Sequence, residues 1–202
     1  MRMAVFGDSI AWGAWDKEGG GWVDRLKRHQ LEPLGYELVY NFGDTGSDTN
    51  RILKHVDKDC EIVLPKEYKK NNIIIFSVGK NDAIYFIDKK KMNIPIWQFE
   101  ANLKKLTKIA RKYVDNIVFT GLIDIDESNQ KNFSENVSYQ NKNFSEYEKA
   151  IQKVCKEEKI YFIPLFGKIP HNLRWDGLHP KPEGHKKIFE IVRDYLKKEK
   201  LI

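Results

Sequence analysis

Cysteine is scarce in this chain. Cys60 and Cys155 stand alone, without the paired spacing of a thiolate metal site or a redox motif. Neither a disulfide framework nor a cysteine metal centre is expected, and a reducing, cytoplasmic compartment is the default. Long apolar runs are missing too. Met1-Arg2 is followed by only five apolar or small residues before Asp8, and the longest uncharged apolar run, "NIIIFSVG" (Asn72–Gly79), has the length of a strand. Neither a secretory leader nor a transmembrane segment is expected. There is no Walker motif, no dinucleotide-binding glycine fingerprint, no internal repeat and no interdomain linker. His29, His55, His171 and His185 have no ligand spacing with Asp, Glu or Cys, so no metal and no cofactor are expected.

What remains is an ordinary globular composition. The 202 residues are 41% hydrophobic and 32% charged, enough for one core and tight for two. Residues 1–202 are therefore read as a single domain. Lys and Arg exceed Asp and Glu by 35 − 29 = +6. The lysines are scattered and not interleaved with exposed aromatics, which describes a solvated face rather than a nucleic-acid stripe. No nucleic-acid partner and no partner protein are implied.

Strand and helix signals alternate along the chain. Strands are predicted over Met3–Phe6, Tyr36–Gly43, Ile73–Val78, Ile117–Leu122 and Ile160–Phe166. Helices are predicted over Trp22–Gln30, from Ser47 as a cap through Ile52, Val56, Cys60 and Val63, over Trp97–Tyr113, around Tyr147, Ile151 and Val154, and over Pro182–Lys198. Asp124–Asn143 is polar and Asn/Ser-rich, and reads as an exposed loop or lid. Five strands divided by helices predict a mainly parallel sheet covered on both faces. In such sheets ligands gather beyond the carboxyl ends of the strands, where glycine-ended runs put Gly7–Ser9, Gly43–Gly46 and Gly79–Asp82.

Taken alone, Ser9 is a turn or capping serine as readily as a nucleophile. "RWDGLHP" (Arg174–Pro180) changes the weighing, because Asp176 precedes His179 by three residues in a loop. A serine hydroxyl needs an imidazole to remove its proton, and the imidazole needs a carboxylate on its other nitrogen. Asp176 could equally form an Asx turn before Gly177, and that job is compatible with catalysis.

At this point the chain resembles the GDSL/SGNH hydrolase family of esterases and lipases. "FGDSI", "NFGDTG", "VGKND" and "DGLHP" match its four blocks in order, from Phe6 to Pro180. The resemblance implies a three-layer α/β/α sandwich, a flavodoxin-like fold with a mainly parallel five-stranded sheet. It implies Ser9 as nucleophile, His179 as general base and acid, and Asp176 as the triad acid. It further implies an oxyanion hole from the Ser9 and Gly43 backbone N–H groups and the Asn81 amide. Ile10 stands where the family usually has leucine, a swap of similar volume. The pentapeptide Gly-x-Ser-x-Gly of other α/β hydrolases is absent, which fits this different route to serine catalysis.

Asp8 and Asp82 are read as loop-orienting neighbours of the catalytic groups, with Asp44 as another brace. Trp12, Trp15 and Trp175 are candidates for the substrate pocket. The expected reaction is hydrolysis of a small or medium acyl ester by water through an acyl-enzyme. A thioesterase and a carbohydrate O-deacetylase use the same attack on a carbonyl and stay open. A non-catalytic binding module on the same fold is the rival from another class.

Overall fold

Alternate residues of the first strand enter two separate cores, Ala4 and Phe6 one, Met3 and Val5 the other. A strand buried on both faces belongs inside a sheet with helices above and below. The computed structural model, which describes residues 1–31, 37–129 and 134–202, has that architecture.

The elements in chain order are β1 (Arg2–Gly7), α1 (Ser9–Trp12), α2 (Trp22–Leu31), β2 (Leu38–Gly43), α3 (Thr49–Leu53), α4 (Val56–Val63), β3 (Ile73–Ser77), β4 (Tyr85–Phe86) and β5 (Lys91–Met92). They continue with α5 (Ile96–Ala110), β6 (Asn116–Thr120), β7 (Val137–Ser138), α6 (Asn141–Glu158), β8 (Tyr161–Ile163) and α7 (Pro182–Lys198). The main sheet has the order β2-β1-β3-β6-β8 and is parallel throughout.

Helices α2 and α7 cover one face through Trp22, Val23, Leu26, Ile188, Val192 and Leu196. The other face is covered by α3 to α6, with Ile52, Cys60, Leu103, Leu106, Ile151 and Val154 on Phe6, Phe76 and Phe119. The fold is a three-layer α/β/α sandwich. Phe76 is fully buried between Phe6 and Phe119, and truncating such a ring to alanine typically costs about 3–5 kcal/mol. Cys60 and Cys155 are buried free thiols, and burial pushes both up to about 12, so they are packing residues.

Local departures from the sequence reading have physical causes. The helix expected from Ser47 is two helices, broken at Lys54-His55. Its cap is Asp48, whose Oδ1 accepts the Arg51 N–H at 2.9 Å, while the Ser47 hydroxyl donates to Asp44. Tyr36, the expected start of β2, lies outside the described residues. Between β1 and α2, Asp8 caps the short α1 by accepting the Ile10 N–H at 2.9 Å.

Asp124–Asn143 is only partly the exposed loop expected from composition. Ile125 is buried, Asp124 is 8% exposed, and α6 begins at Asn141. Within the same segment, β7 pairs with β4 in a small antiparallel sheet, order β5-β4-β7, and residues 130–133 lie outside the described set. Local polarity hid these contacts because their partners lie far away in sequence. Among the described residues, no helix is long and apolar enough to cross a membrane.

Strand register positions the site. Gly7 is level with Gly43 on one side and with Ser77 on the other. β2 and β3 flank β1, so the strand order reverses there, and the loops leaving these three strands meet at their carboxyl ends.

Candidate active site

Ser9, the first residue of α1, and the loop before α7 meet at the carboxyl end of the sheet. Ser9 Oγ lies 3.0 Å from His179 Nε2, and His179 Nδ1 lies 2.7 Å from Asp176 Oδ2. The carboxylate accepts the Nδ1 proton, so Nε2 offers its lone pair to the serine O–H. Asp176 Oδ1 accepts the Leu178 and His179 backbone N–H groups at 3.0 and 2.8 Å. The Asx turn and the imidazole support are one and the same carboxylate. Burial works to raise the Asp176 pKa, but the His179 ring and the two N–H donors outweigh it and hold the carboxyl below its ordinary value. It is therefore ionised wherever the imidazole needs it.

The loop that carries Asp176 and His179 is anchored by a cluster that sequence reading missed. Arg174 is 2% exposed and donates to Asp124 Oδ1 at 3.0 Å and to the Ile169 carbonyl at 2.7 Å. Asp124 also accepts from His171 Nε2 and the Gly167 N–H. Burial opposes ionisation of Asp124, yet these donors keep its pKa below the usual carboxylate value. The residue expected in an exposed loop is thus what ties Trp175–Pro180 to the end of β6. An Asp at an apolar–polar boundary (Ile123-Asp124-Ile125) was the available signal.

Gly43 owes its identity to close approach. A Cβ there would lie 2.2 Å from Trp12 N and 2.6 Å from Ala11 C, so only glycine lets β2 abut α1. Its N–H donates to Asn41 Oδ1 at 2.9 Å, and Asn41 Nδ2 donates to the Ala11 carbonyl at 3.0 Å. Asn41, unremarked in the sequence, thus fixes the Gly43 amide beside the turn that carries Ser9. Asn81 Nδ2 donates one proton to the Ser47 carbonyl at 2.9 Å, leaving its second N–H for another acceptor. This bond ties the third sequence block to the residue that follows the second.

Asp82 is fully buried and braces the same region. It accepts the Thr49 N–H at 3.1 Å and the Thr49 hydroxyl at 2.5 Å, and Thr49 Oγ1 accepts from Asn102 at 2.8 Å. Burial pushes the Asp82 pKa up to about 7 against those hydrogen bonds. Asp8, also buried, pairs with Lys80 at 3.5 Å. Asp44 receives Arg51 at 2.6 Å, the brace expected of it.

Trp12, Trp15 and Trp175 are each 56% exposed. Trp15 sets its ring edge-on to His179, centroids 6.2 Å apart. The Trp175 N–H donates to the His179 carbonyl at 2.9 Å, and Lys181 Nζ stands 5.5 Å over its ring. The loop that carries Trp15 is pinned twice: His185 Nε2 bonds the Ala14 carbonyl at 2.9 Å, and buried Asp16 gathers Gly19, Gly21 and Arg25. Tyr139, which follows β7, is half-buried beside this site. Burial first, then the charges of Asp8 and Asp176, push its pKa up to about 12. Among the described residues, no three His, Cys, Asp or Glu side chains converge as metal ligands.

The hydrogen-bonded serine, histidine and aspartate thus stand at the strand ends of a parallel α/β sandwich. The profile of the GDSL-like Lipase/Acylhydrolase family matches residues 3–192, and the chain belongs to that family of esterases and acylhydrolases. It is 29% identical over 140 residues to the isoamyl acetate-hydrolyzing esterase of Saccharomyces cerevisiae, an alignment covering 61% of this chain and 57% of that protein. The chain thus spans little more than half the length of that relative. Among solved structures, an α/β hydrolase from the metagenome of Lake Arreo, Spain, superposes with a TM-score of 0.74 at 18% identity, covering 97% of this chain and 93% of the other. A catalytic mutant of an acetylxylan esterase from Geobacillus stearothermophilus gives 0.73 at 18% identity, with coverage of 97% and 92%.

Proposed function

We propose that this chain is a serine esterase that cleaves carboxylic esters of small acyl groups through an acyl-enzyme. The observation that carries the reading is the unbroken Ser9–His179–Asp176 relay, with contacts of 3.0 and 2.7 Å. Both lie within the hydrogen-bonding reach that proton transfer requires.

In this reading His179 Nε2 takes the Ser9 proton as Oγ attacks the ester carbonyl, and then gives that proton to the departing alkoxide. Asp176 holds the ring in the reactive tautomer and stabilises the imidazolium. The Ser9 and Gly43 backbone N–H groups and the free Asn81 amide proton meet the charge that develops on the carbonyl oxygen. For Gly43 to contribute, its N–H must share or release Asn41 Oδ1, so oxyanion binding and a small shift of that side chain go together. Water, deprotonated by His179, then attacks the acyl-enzyme and frees the acid and Ser9.

An acetyl-sized acyl group is favoured by the activities of two proteins that this chain resembles, an esterase acting on isoamyl acetate and an acetylxylan esterase. Sugar acetates are a second reading, supported by the three half-exposed tryptophans, whose flat faces suit a pyranose ring. The test is kcat/KM on p-nitrophenyl acetate, butyrate and octanoate, acetylated xylo-oligosaccharides and acetyl-CoA, for wild type and Ser9→Ala, with fluorophosphonate labelling alongside. Acetate esters should lead, and both turnover and labelling should vanish in Ser9→Ala. Turnover that survives that substitution would eliminate the covalent mechanism.

A further inference from the structure

The residues immediately before the nucleophile and before the proposed oxyanion amide are joined to each other. Asp8 precedes Ser9, Lys80 precedes Asn81, and Lys80 Nζ lies 3.5 Å from Asp8 Oδ2 with both side chains 5% exposed or less. Asp8 spends its other oxygen on the Ile10 N–H at the start of α1, and Oδ2 is buried with no hydrogen bond among the described residues. The ammonium is therefore what answers the charge on that oxygen. Gly79 makes the inward course of Lys80 possible. Its φ is +118°, and a Cβ there would press within 3.0 and 3.1 Å of Leu122 and Phe99.

A lysine buried this deeply is costly unless its charge has work to do or partners to meet. The charged and titratable groups around the pair are few. From α6, Glu148, which accepts the Leu122 N–H at 2.6 Å, feels the Lys80 charge. From the segment after β7, Tyr139 feels the Asp8 charge. Asp82, next but one to Lys80, is turned to Thr49, and Asp176 is turned to His179. His185 feels the His179 charge from α7.

We propose that Lys80 is a positioning residue for the reaction. It cancels a buried carboxylate one residue from Ser9, close to where a negative charge must form. An uncompensated Asp8 would repel the oxyanion and also hold a proton on the nearby imidazole, idling the base. The role rests on the esterase reading above, and the experiment separates the two.

Wild type and Ser9→Ala are compared first on p-nitrophenyl acetate and with a fluorophosphonate. If wild type is neither active nor labelled, the esterase reading fails and this role with it. With Ser9-dependent activity established, the other variants bear on Lys80 alone. Lys80→Met should lose about tenfold or more in kcat with KM little changed, the mark of a transition-state effect. The acidic limb of its kcat–pH profile should move up by roughly half a pH unit or more, as a bared carboxylate nearby requires. Asp8→Asn should move that limb down. The double variant Asp8→Asn/Lys80→Met, with neither charge, should return the limb towards wild type and recover most of the lost kcat.

A wild-type rate and profile in Lys80→Met would overturn the proposal, and so would a double variant no faster than Lys80→Met. Should Lys80→Met alone fail to fold by circular dichroism, Asp8→Asn and the double variant decide the matter. Distinct acidic limbs support the proposal, and coincident ones sink it.

Discussion

Trp15 stands edge-on to the imidazole of His179, 6.2 Å between ring centroids, on a backbone bent to φ 68°. A bulky residue with positive φ is a strained position, held here by Asp16 and His185 on either side of the loop. The ring stands beside the His179 imidazole, so strain and proposed function coincide in the same residue.

Asparagine tolerates positive φ, which makes Trp15→Asn a test of the ring apart from the backbone. Aromatic contacts of this kind are worth about 0.5–1.5 kcal/mol. We expect kcat/KM on acetate esters to fall by up to about tenfold, within that range. Unchanged kinetics would remove Trp15 from both the pocket and the support of His179.

Asn81→Ala should keep the fold, because only one hydrogen bond, to the Ser47 carbonyl, is lost. Turnover should drop by about two to three orders of magnitude, the usual consequence of deleting an oxyanion donor. A kcat near wild type, measured alongside an unchanged circular dichroism spectrum, would take Asn81 out of the hole.

Arg174 offers a stability test away from the reacting atoms. It is buried against Asp124 at 3.0 Å, so Arg174→Met leaves a carboxylate without its main charge partner. Breaking such a pair typically costs about 3–5 kcal/mol. Urea unfolding should show that loss, and the double variant Asp124→Asn/Arg174→Met should recover part of it. A midpoint unmoved by Arg174→Met would mean that the cluster does not anchor the loop.

Asp82 gives a pH dependence of definite sign. Its carboxyl titrates near 3.8 when unperturbed and is raised to about 7 in the folded protein. Across that interval the folded state binds more protons than the unfolded one. Its stabilising contribution is complete below about pH 3.8 and is lost as pH rises through about 7. Asp82→Asn, which never ionises, should therefore gain Tm relative to wild type between pH 4 and pH 8. A Tm difference that stays flat would show that Asp82 is already ionised throughout.

Much of the fold was legible because the strands announce themselves locally. Ile73–Phe76 is an unbroken β-branched and aromatic run, and the helix stripes recur at three and four residues. The residues of the proposed site, Ser9, Gly43, Asn81, Asp176 and His179, were singled out in the sequence by four ordered blocks. What stayed hidden were groups whose meaning is entirely pairwise. Arg174 and Asp124 are 50 residues apart, Lys80 and Asp8 are separated by β2 and β3, and Asn41 matters only because α1 lies against it. Composition likewise marked Asp124 and Tyr139 as loop, since polarity in a window carries no record of a distant partner.

The chain itself, through apolar periodicity and glycine-ended strands, dictated an alternating α/β order and the residue types able to do acyl transfer. Those are local properties, carried by neighbours a few bonds apart. Folding alone decided that a hydroxyl and an imidazole 170 residues apart meet at 3.0 Å, and that Lys80 lies buried against Asp8 instead of in water. Such contacts depend on strand order and register, which are settled only when both faces of the sheet are packed at once.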